Sequence, residues 1–152
     1  MSVLRHVGAL SPYARVAVVI ETLLGIGAVA GGAALVIGRH GEIVPLPVSA
    51  LAGSPFPDYF LPGLVLFTVI GLGPLAVAVL AWRGSRWAPI LTAAVGVALL
   101  IWLAVQIAII GYTSEPPLQA LYLLLGAVIT LLGVGWVAKN GVPTVRGHPA
   151  AS

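Results

Sequence analysis

One carboxylate stands where water is scarce. Glu21 lies inside VAVVIETLLGIGAVAGGAALVIG, a run between Arg15 and Arg39 that is apolar except for Glu21 and Thr22. An ionised carboxylate there is expensive unless it is paired, hydrated or protonated. Counting from the start of the run places it roughly 9 Å deep at about 1.5 Å per residue. The same counting brings Thr92 and Thr130 to that depth, so either hydroxyl could serve the carboxylate. The chemistry such a group supports is proton or cation binding. The structural alternative is an acid hydrogen-bonded to a hydroxyl or a backbone carbonyl, or reached by water.

A second polar group of residues gathers near the opposite surface. Gln106 lies six residues before Tyr112, Thr68 six after Pro62, and Tyr122 five after Pro117, so all three come within roughly 7 to 11 Å of that surface. Trp102 and Gln106, four apart, share one helix face. An amide, a hydroxyl, a phenol and an indole could line a pocket for a lipid headgroup, a quinone or a small polar molecule. Alternatively they serve as interhelical hydrogen bonds worth about 1 kcal/mol each.

Catalysis finds no footing. His6, His40 and His148 all fall outside the apolar runs, which leaves no paired histidine for haem. No His-x-x-x-His or Glu-x-x-His metal spacing, GxxxxGK loop or GxSxG elbow occurs. Cysteine is absent, which removes disulfide, thiolate-metal and thiol-nucleophile chemistry. One carboxylate without a convergent second acid or nucleophile makes no active site, so no catalytic residue, cofactor or metal is assigned.

The elements that must position these groups are membrane helices. Of 152 residues 60% are hydrophobic and 7% charged, and mean hydropathy is +1.12, far from the roughly 25% charge of soluble domains. Four runs, about residues 16–38, 59–82, 87–112 and 116–138, are each long enough for the roughly 30 Å hydrocarbon core. A cleavable signal peptide is the rival reading of the first run, since Ala28-Val29-Ala30 resembles a cleavage site. Glu21 interrupts the supposed core and the apolar stretch continues past that site, so the run is read as a helix. The expected fold is therefore all-α, an antiparallel four-transmembrane-helix bundle in a single membrane domain, with a flexible tail over about 140–152.

Charge gives the orientation. Arg5, Arg15, Arg83, Arg86, Lys139 and Arg146 fall on one side and only Arg39 on the other, which places both termini in the cytoplasm. Tyr13, Trp82, Trp87 and Trp136 would line the inner interface, and Phe56, Tyr59, Phe60 and Tyr112 the outer one. Net charge is +3 without a basic block, so nucleic acid is not an expected partner. Six Arg against one Lys, with abundant Ala, Gly and Pro, suggests a GC-rich bacterial source and hence a plasma-membrane location.

Helix packing in lipid relies on small residues. Gly27 with Gly31, Ala28 with Gly32, and Gly126 with Gly133 are the pairs expected to make close contacts. Pro74 lacks a backbone donor, frees the carbonyl of Ile70, and is expected to kink the second helix. The first outer loop, RHGEIVPLPVSALAGSPFPD, holds four prolines that bar a continuous helix, beside apolar residues that shun water. It should lie on the membrane surface or cap the bundle, with a short helical turn near Val48 to Ala52. Asp58 in SPFPDYFLPG suits a helix cap at the second helix, with an ion or substrate ligand at the outer mouth as the alternative.

Ser54, Pro55, Phe56, Asp58, Tyr59, Pro62 and Gly63, together with Trp102, Val105 and Gln106, carry a resemblance. The stretch of residues 31–122 that holds them resembles a family of small four-helix bacterial, in particular actinobacterial, integral membrane proteins of unknown function. That resemblance implies architecture and membrane location and names no chemistry.

Two functional readings follow. The first is a noncatalytic membrane protein acting by association, an accessory or scaffolding subunit or a homo-oligomer, since packing features outnumber chemical ones. Its partners would be membrane lipids and a membrane protein or a second copy. The alternative is a small proton-coupled transporter, or a bundle binding lipid or a small molecule, built on Glu21. A first-helix glutamate in a four-helix chain is similar to small multidrug-resistance transporters, although their loops are short and this chain has a long proline-rich one.

Overall fold

Ser11 and Pro12 start the first helix. The Ser11 hydroxyl accepts from the Ala14 N–H at 3.1 Å, and Pro12 occupies the first turn, where a missing donor costs nothing. In the computed structural model, which describes residues 10–112 and 117–143, four helices follow: α1 Pro12–Ile37, α2 Phe60–Trp82, α3 Ala88–Ile110 and α4 Leu118–Asn140. Each is long and apolar enough to cross a membrane, and no strand occurs among the described residues.

The bounds differ from those expected in ways that local chemistry explains. Helix α1 begins before the apolar run because the Ser-Pro cap lies outside it. Helix α3 stops short of 112, since Gly111 takes φ +80° and leaves the helical region. Helix α4 runs on to Asn140 and ends on Gly141 at φ +78°, so the tail starts later than 140. Arg5, His6, Glu115, Pro116, Arg146, His148 and the rest of the tail from 144 lie outside the described residues.

Pairwise packing gives the helix order around the bundle. Helix α1 packs along α2, and α3 along α4; the two hairpins meet more sparsely, α2 against α3 and α1 against α4. Helices α1 and α3 therefore face each other on a diagonal. Arg15, Arg83, Arg86 and Lys139 gather at one end, the basic end, while the 39–58 loop covers the other.

Glycine backbone contacts close each hairpin. A Cβ at Gly32 would stand 2.5 Å from the Phe67 amide nitrogen and 2.8 Å from the Gly63 carbonyl oxygen. One at Gly25 would stand 2.8 Å from the Gly71 carbonyl, and one at Gly71 would meet Val29 Cγ2 at 2.8 Å. In the second hairpin a Cβ at Gly133 would lie 2.6 Å from Ala93 Cα, and one at Gly126 2.9 Å from Leu100. Gly126, Gly133, Gly32 and the buried Ala28 thus sit where backbones or side chains come close, as their spacing suggested. Gly27 and Gly31 do not: no heavy atom lies within 4 Å of a Cβ at Gly27, and only Leu66 Cδ2, at 3.7 Å, approaches one at Gly31.

Helix α2 accommodates Pro74 by a change of winding. Residues Leu66–Leu72 form a π-helical segment, after which α-helical winding resumes at Gly73 with Pro74 in the new first turn. The Gly73 N–H donates to the Thr68 carbonyl, five residues back. Proline is thereby placed where its absent N–H is tolerated. Pro74 itself is fully buried.

Loop and basic end are both fastened. In the loop, Val48–Leu51 forms a 3-10 turn that lies against α3, Leu51 is buried, and the Tyr59 hydroxyl donates to the Pro47 carbonyl at 3.0 Å. At the basic end Ala14, Ala17, Ala81 and Ala88 pack with Trp136, whose ring stacks on Tyr13 at 6.4 Å. Lys139 Nζ stands over the Tyr13 ring, and the Arg86 guanidinium over Trp87.

These contacts make Gly32→Val and Gly133→Val costly, by about 2–3 kcal/mol each, because backbone atoms must give way. Gly27→Ala should be neutral or stabilising by up to about 1 kcal/mol through helix propensity alone. Unfolding of the purified variants by titration with a denaturing detergent, followed by far-ultraviolet ellipticity, checks the ranking.

Candidate functional site

Two features lie in the seam between the hairpins. Nearer the basic end, Glu21 on α1 reaches toward the diagonal helix α3, and both Glu21 and Thr92 are 0% exposed. The Thr92 side chain stands beside the carboxylate. Even so, neither Glu21 oxygen nor Thr92 Oγ1 has a hydrogen-bond partner of sound geometry among the described residues, so proximity is established and a formed bond is not. One turn toward the basic end the alanine layer with Ala17 and Ala88 seals the pair. One turn the other way Leu24 and Val95 begin the main apolar core.

Thr130 belongs elsewhere. Its hydroxyl donates to the Gly126 carbonyl at 2.8 Å, and its backbone and side chain lie against Gly96 in the contact between α3 and α4. It is level with Gly96, one turn farther from the basic end than Thr92, so depth counting missed its height as well as its direction. Of the three residues expected to form an inner site, the fold brings Glu21 and Thr92 together and turns Thr130 onto its own helix.

Toward the loop end all four helices line a cavity of about 190 Å³. Its polar wall is Trp102 and Gln106 of α3 with Gln119 and Tyr122 of α4; Gly27 and Gly31 of α1 line it as well. Leu24, Ile70 and Leu99 supply apolar lining. A smaller apolar cavity of about 60 Å³ lies under the loop, lined by Leu51, Phe56 and Tyr59 and sharing Trp102 and Gln106 with the first. The i, i+4 pair on α3 therefore stands between the two.

Thr68 is the residue of that predicted cluster which the fold excludes. It is exposed on the outer face of α2, and its hydroxyl donates to the Leu64 carbonyl at 2.7 Å. The π-helical segment that holds it changes its angular position, so counting depth from Pro62 could not give its facing. Gln119 is the residue the sequence reading missed. It is 5% exposed, and its amide donates to the Gly111 carbonyl at 3.1 Å, tying the start of α4 to the end of α3. Its spacing of three from Tyr122 was the available signal.

Asp58 forms an Asx-type turn one residue ahead of the N-cap position, which Tyr59 occupies without a side-chain capping bond. Its Oδ1 accepts from the Phe60 N–H at 2.9 Å, and its Oδ2 faces Arg39 Nε at 3.8 Å. Arg39, the lone cation expected on this side, is thus engaged beside the helix start. The nearby Glu42 carboxylate is held below the ordinary carboxylate pKa first by its own backbone N–H and then by the His40 N–H, which donates to it at 2.9 Å.

Glu21→Leu removes a buried polar group of similar size and should stabilise the fold by about 1–3 kcal/mol; a loss of stability would mean that a partner holds the carboxylate in solution. Asp58→Ala should cost about 1 kcal/mol through the lost hydrogen bond to the Phe60 N–H. Arg39→Ala should cost less than about 1 kcal/mol, an effect that added salt erases. Detergent unfolding at two salt concentrations separates the last two.

The chain was compared with models of protein families, with curated proteins and with solved structures, and no match was found.

Proposed function

We propose that this chain is a noncatalytic multi-pass membrane protein of a bacterial plasma membrane that holds a small lipid-soluble molecule between its two hairpins. The observation that carries the reading is the cavity of about 190 Å³ at the loop end, apolar over most of its wall with a few polar groups of α3 and α4 turned into it. The accessory-subunit reading drew on glycine faces, and most of those glycines are consumed inside the hairpins. That moves the balance toward ligand binding. Both termini are assigned to the cytoplasm, because Arg15, Arg83, Arg86 and Lys139 collect at the basic end.

Association with another membrane protein is the second reading. It is favoured by a stripe of exposed Leu121, Leu124, Val128, Leu131 and Val134 along α4.

Native mass spectrometry of the full chain, extracted gently from its own membranes, tests both. A reproducible small-molecule adduct on the wild type that Gly27→Leu loses supports the cavity reading. A stoichiometric protein partner without an adduct overturns it in favour of the accessory role. Orientation is checked with single cysteines, Ser49→Cys and Asn140→Cys, in this cysteine-free chain. An impermeant maleimide on intact cells should label the first and not the second.

A further inference from the structure

We infer that the cavity takes an uncharged, ring-bearing molecule with a carbonyl acceptor, of the chemical class of a quinone head group, and admits it sideways from the lipid between α1 and α4. This rests on the ligand-binding reading above and specifies its ligand and its route.

Size comes first. At about 190 Å³ the cavity is somewhat larger than the roughly 150 Å³ apolar cavity that accepts a benzene ring, and smaller than a site for a drug-sized molecule. One substituted six-membered ring fits. Charge comes next: among the described residues no Asp, Glu, Lys, Arg or His lines the space, so an ion held by that lining would lose its hydration without compensation. The occupant is neutral.

Hydrogen-bond chemistry narrows it further. Trp102, Gln106 and Tyr122 line the cavity and are half-buried. An indole N–H can only donate, while an amide and a phenol each offer donors as well as acceptors. Gln119, already bonded to the Gly111 carbonyl, fixes the mouth. A donor-rich wall selects an acceptor, and the Trp102 and Tyr122 rings offer faces on which a planar ring can rest.

The route follows from the glycines that do not pack. Helices α1 and α4 meet at the basic end, where Tyr13 stacks on Trp136 and Leu132 packs with the alanine layer. Farther along, Gly27 lines the cavity and is itself exposed on the surface, and a Cβ there would touch nothing within 4 Å. Gly31 continues the same strip with one contact at 3.7 Å. The cavity therefore opens laterally on this side, through a gap that one larger side chain would close. Gly25 and Gly32, against α2, have no such freedom.

The test uses the full chain in lipid nanodiscs and the fluorescence of Trp102, isolated by subtracting the signal of a Trp102→Phe variant. Decylubiquinone is the ring probe and 11-bromoundecanol a linear, uncharged control quencher. The expected result is saturable quenching of Trp102 by the quinone, lost in Gly27→Leu. Gln106→Leu and Tyr122→Phe should each weaken the quinone's apparent affinity by up to about tenfold, the worth of one hydrogen bond. Gly27→Leu must also unfold at the wild-type detergent concentration, which separates a blocked gap from a damaged fold. Saturable quenching by the alcohol but not the quinone overturns the ring assignment and leaves the ligand-binding reading standing. Saturable quinone quenching that Gly27→Leu leaves unchanged overturns the lateral route. Non-saturable quenching by both probes, equal in all variants, is partition into the bilayer alone and overturns the inference and the ligand-binding reading together.

Discussion

Backbone approach at glycine is the constraint on which the molecule depends. Among hydrocarbon tails, burying a leucine against another helix gains little that lipid would not already supply, so helices adhere by dispersion where they can come closest. This chain meets that demand twice, once between α1 and α2 through Gly25, Gly32, Gly63 and Gly71, and once between α3 and α4 through Gly96, Gly126 and Gly133. Intimate contact within each hairpin leaves the interface between them to larger side chains that tile it less densely. The seam, with its cavity and its buried carboxylate, results from that unequal division.

Within the seam, polarity is graded along the bundle axis. The basic end is plugged by alanines and a tryptophan stacked on Tyr13. Glu21 and Thr92 come next, both buried and without a hydrogen-bond partner among the described residues. The cavity follows, and beyond Trp102 and Gln106 the smaller cavity lies under the loop, lined by Leu51 and Tyr59. An ionisable group retained at such expense is a strong mark of use in a membrane protein. Here it sits apart from the cavity wall, one turn beyond Leu24.

Much of this was legible in the residues, and the rest was lost for definite physical reasons. Four spans, the helical turn in the proline-rich loop and a local bond from Asp58 to the helix start follow from hydropathy, proline placement and side-chain chemistry, all of which act locally. Depth is local too, which is why Glu21 and Thr92 were matched correctly. Facing is not. Thr68 faces outward and Thr130 lies one turn beyond Thr92 against Gly96, and both satisfy their hydroxyls on their own helices. Gly27 and Gly31 form the same i, i+4 pattern that marks close packing elsewhere, and nothing in one sequence distinguishes a glycine that admits a neighbouring helix from one that leaves a space. Gln119 escaped notice because its role is to join α3 to α4 across a turn.

The π-helical segment of α2 sets the angular phase of Gly71, which it contains, relative to Gly63, which precedes it. Gly25 and Gly32 on α1 are seven residues apart, a spacing that returns to nearly the same face of an α-helix, whereas Gly63 and Gly71 on α2 are eight apart and in regular winding would diverge by about 80°. A π turn takes up one extra residue. Leu66–Leu72 begins after Gly63 and contains Gly71, so the surplus residue is absorbed there and both can address α1. In genetic terms the segment is equivalent to a one-residue insertion that has been kept. Removing one residue from it would restore regular winding at the cost of rotating half of the helix away from its neighbour.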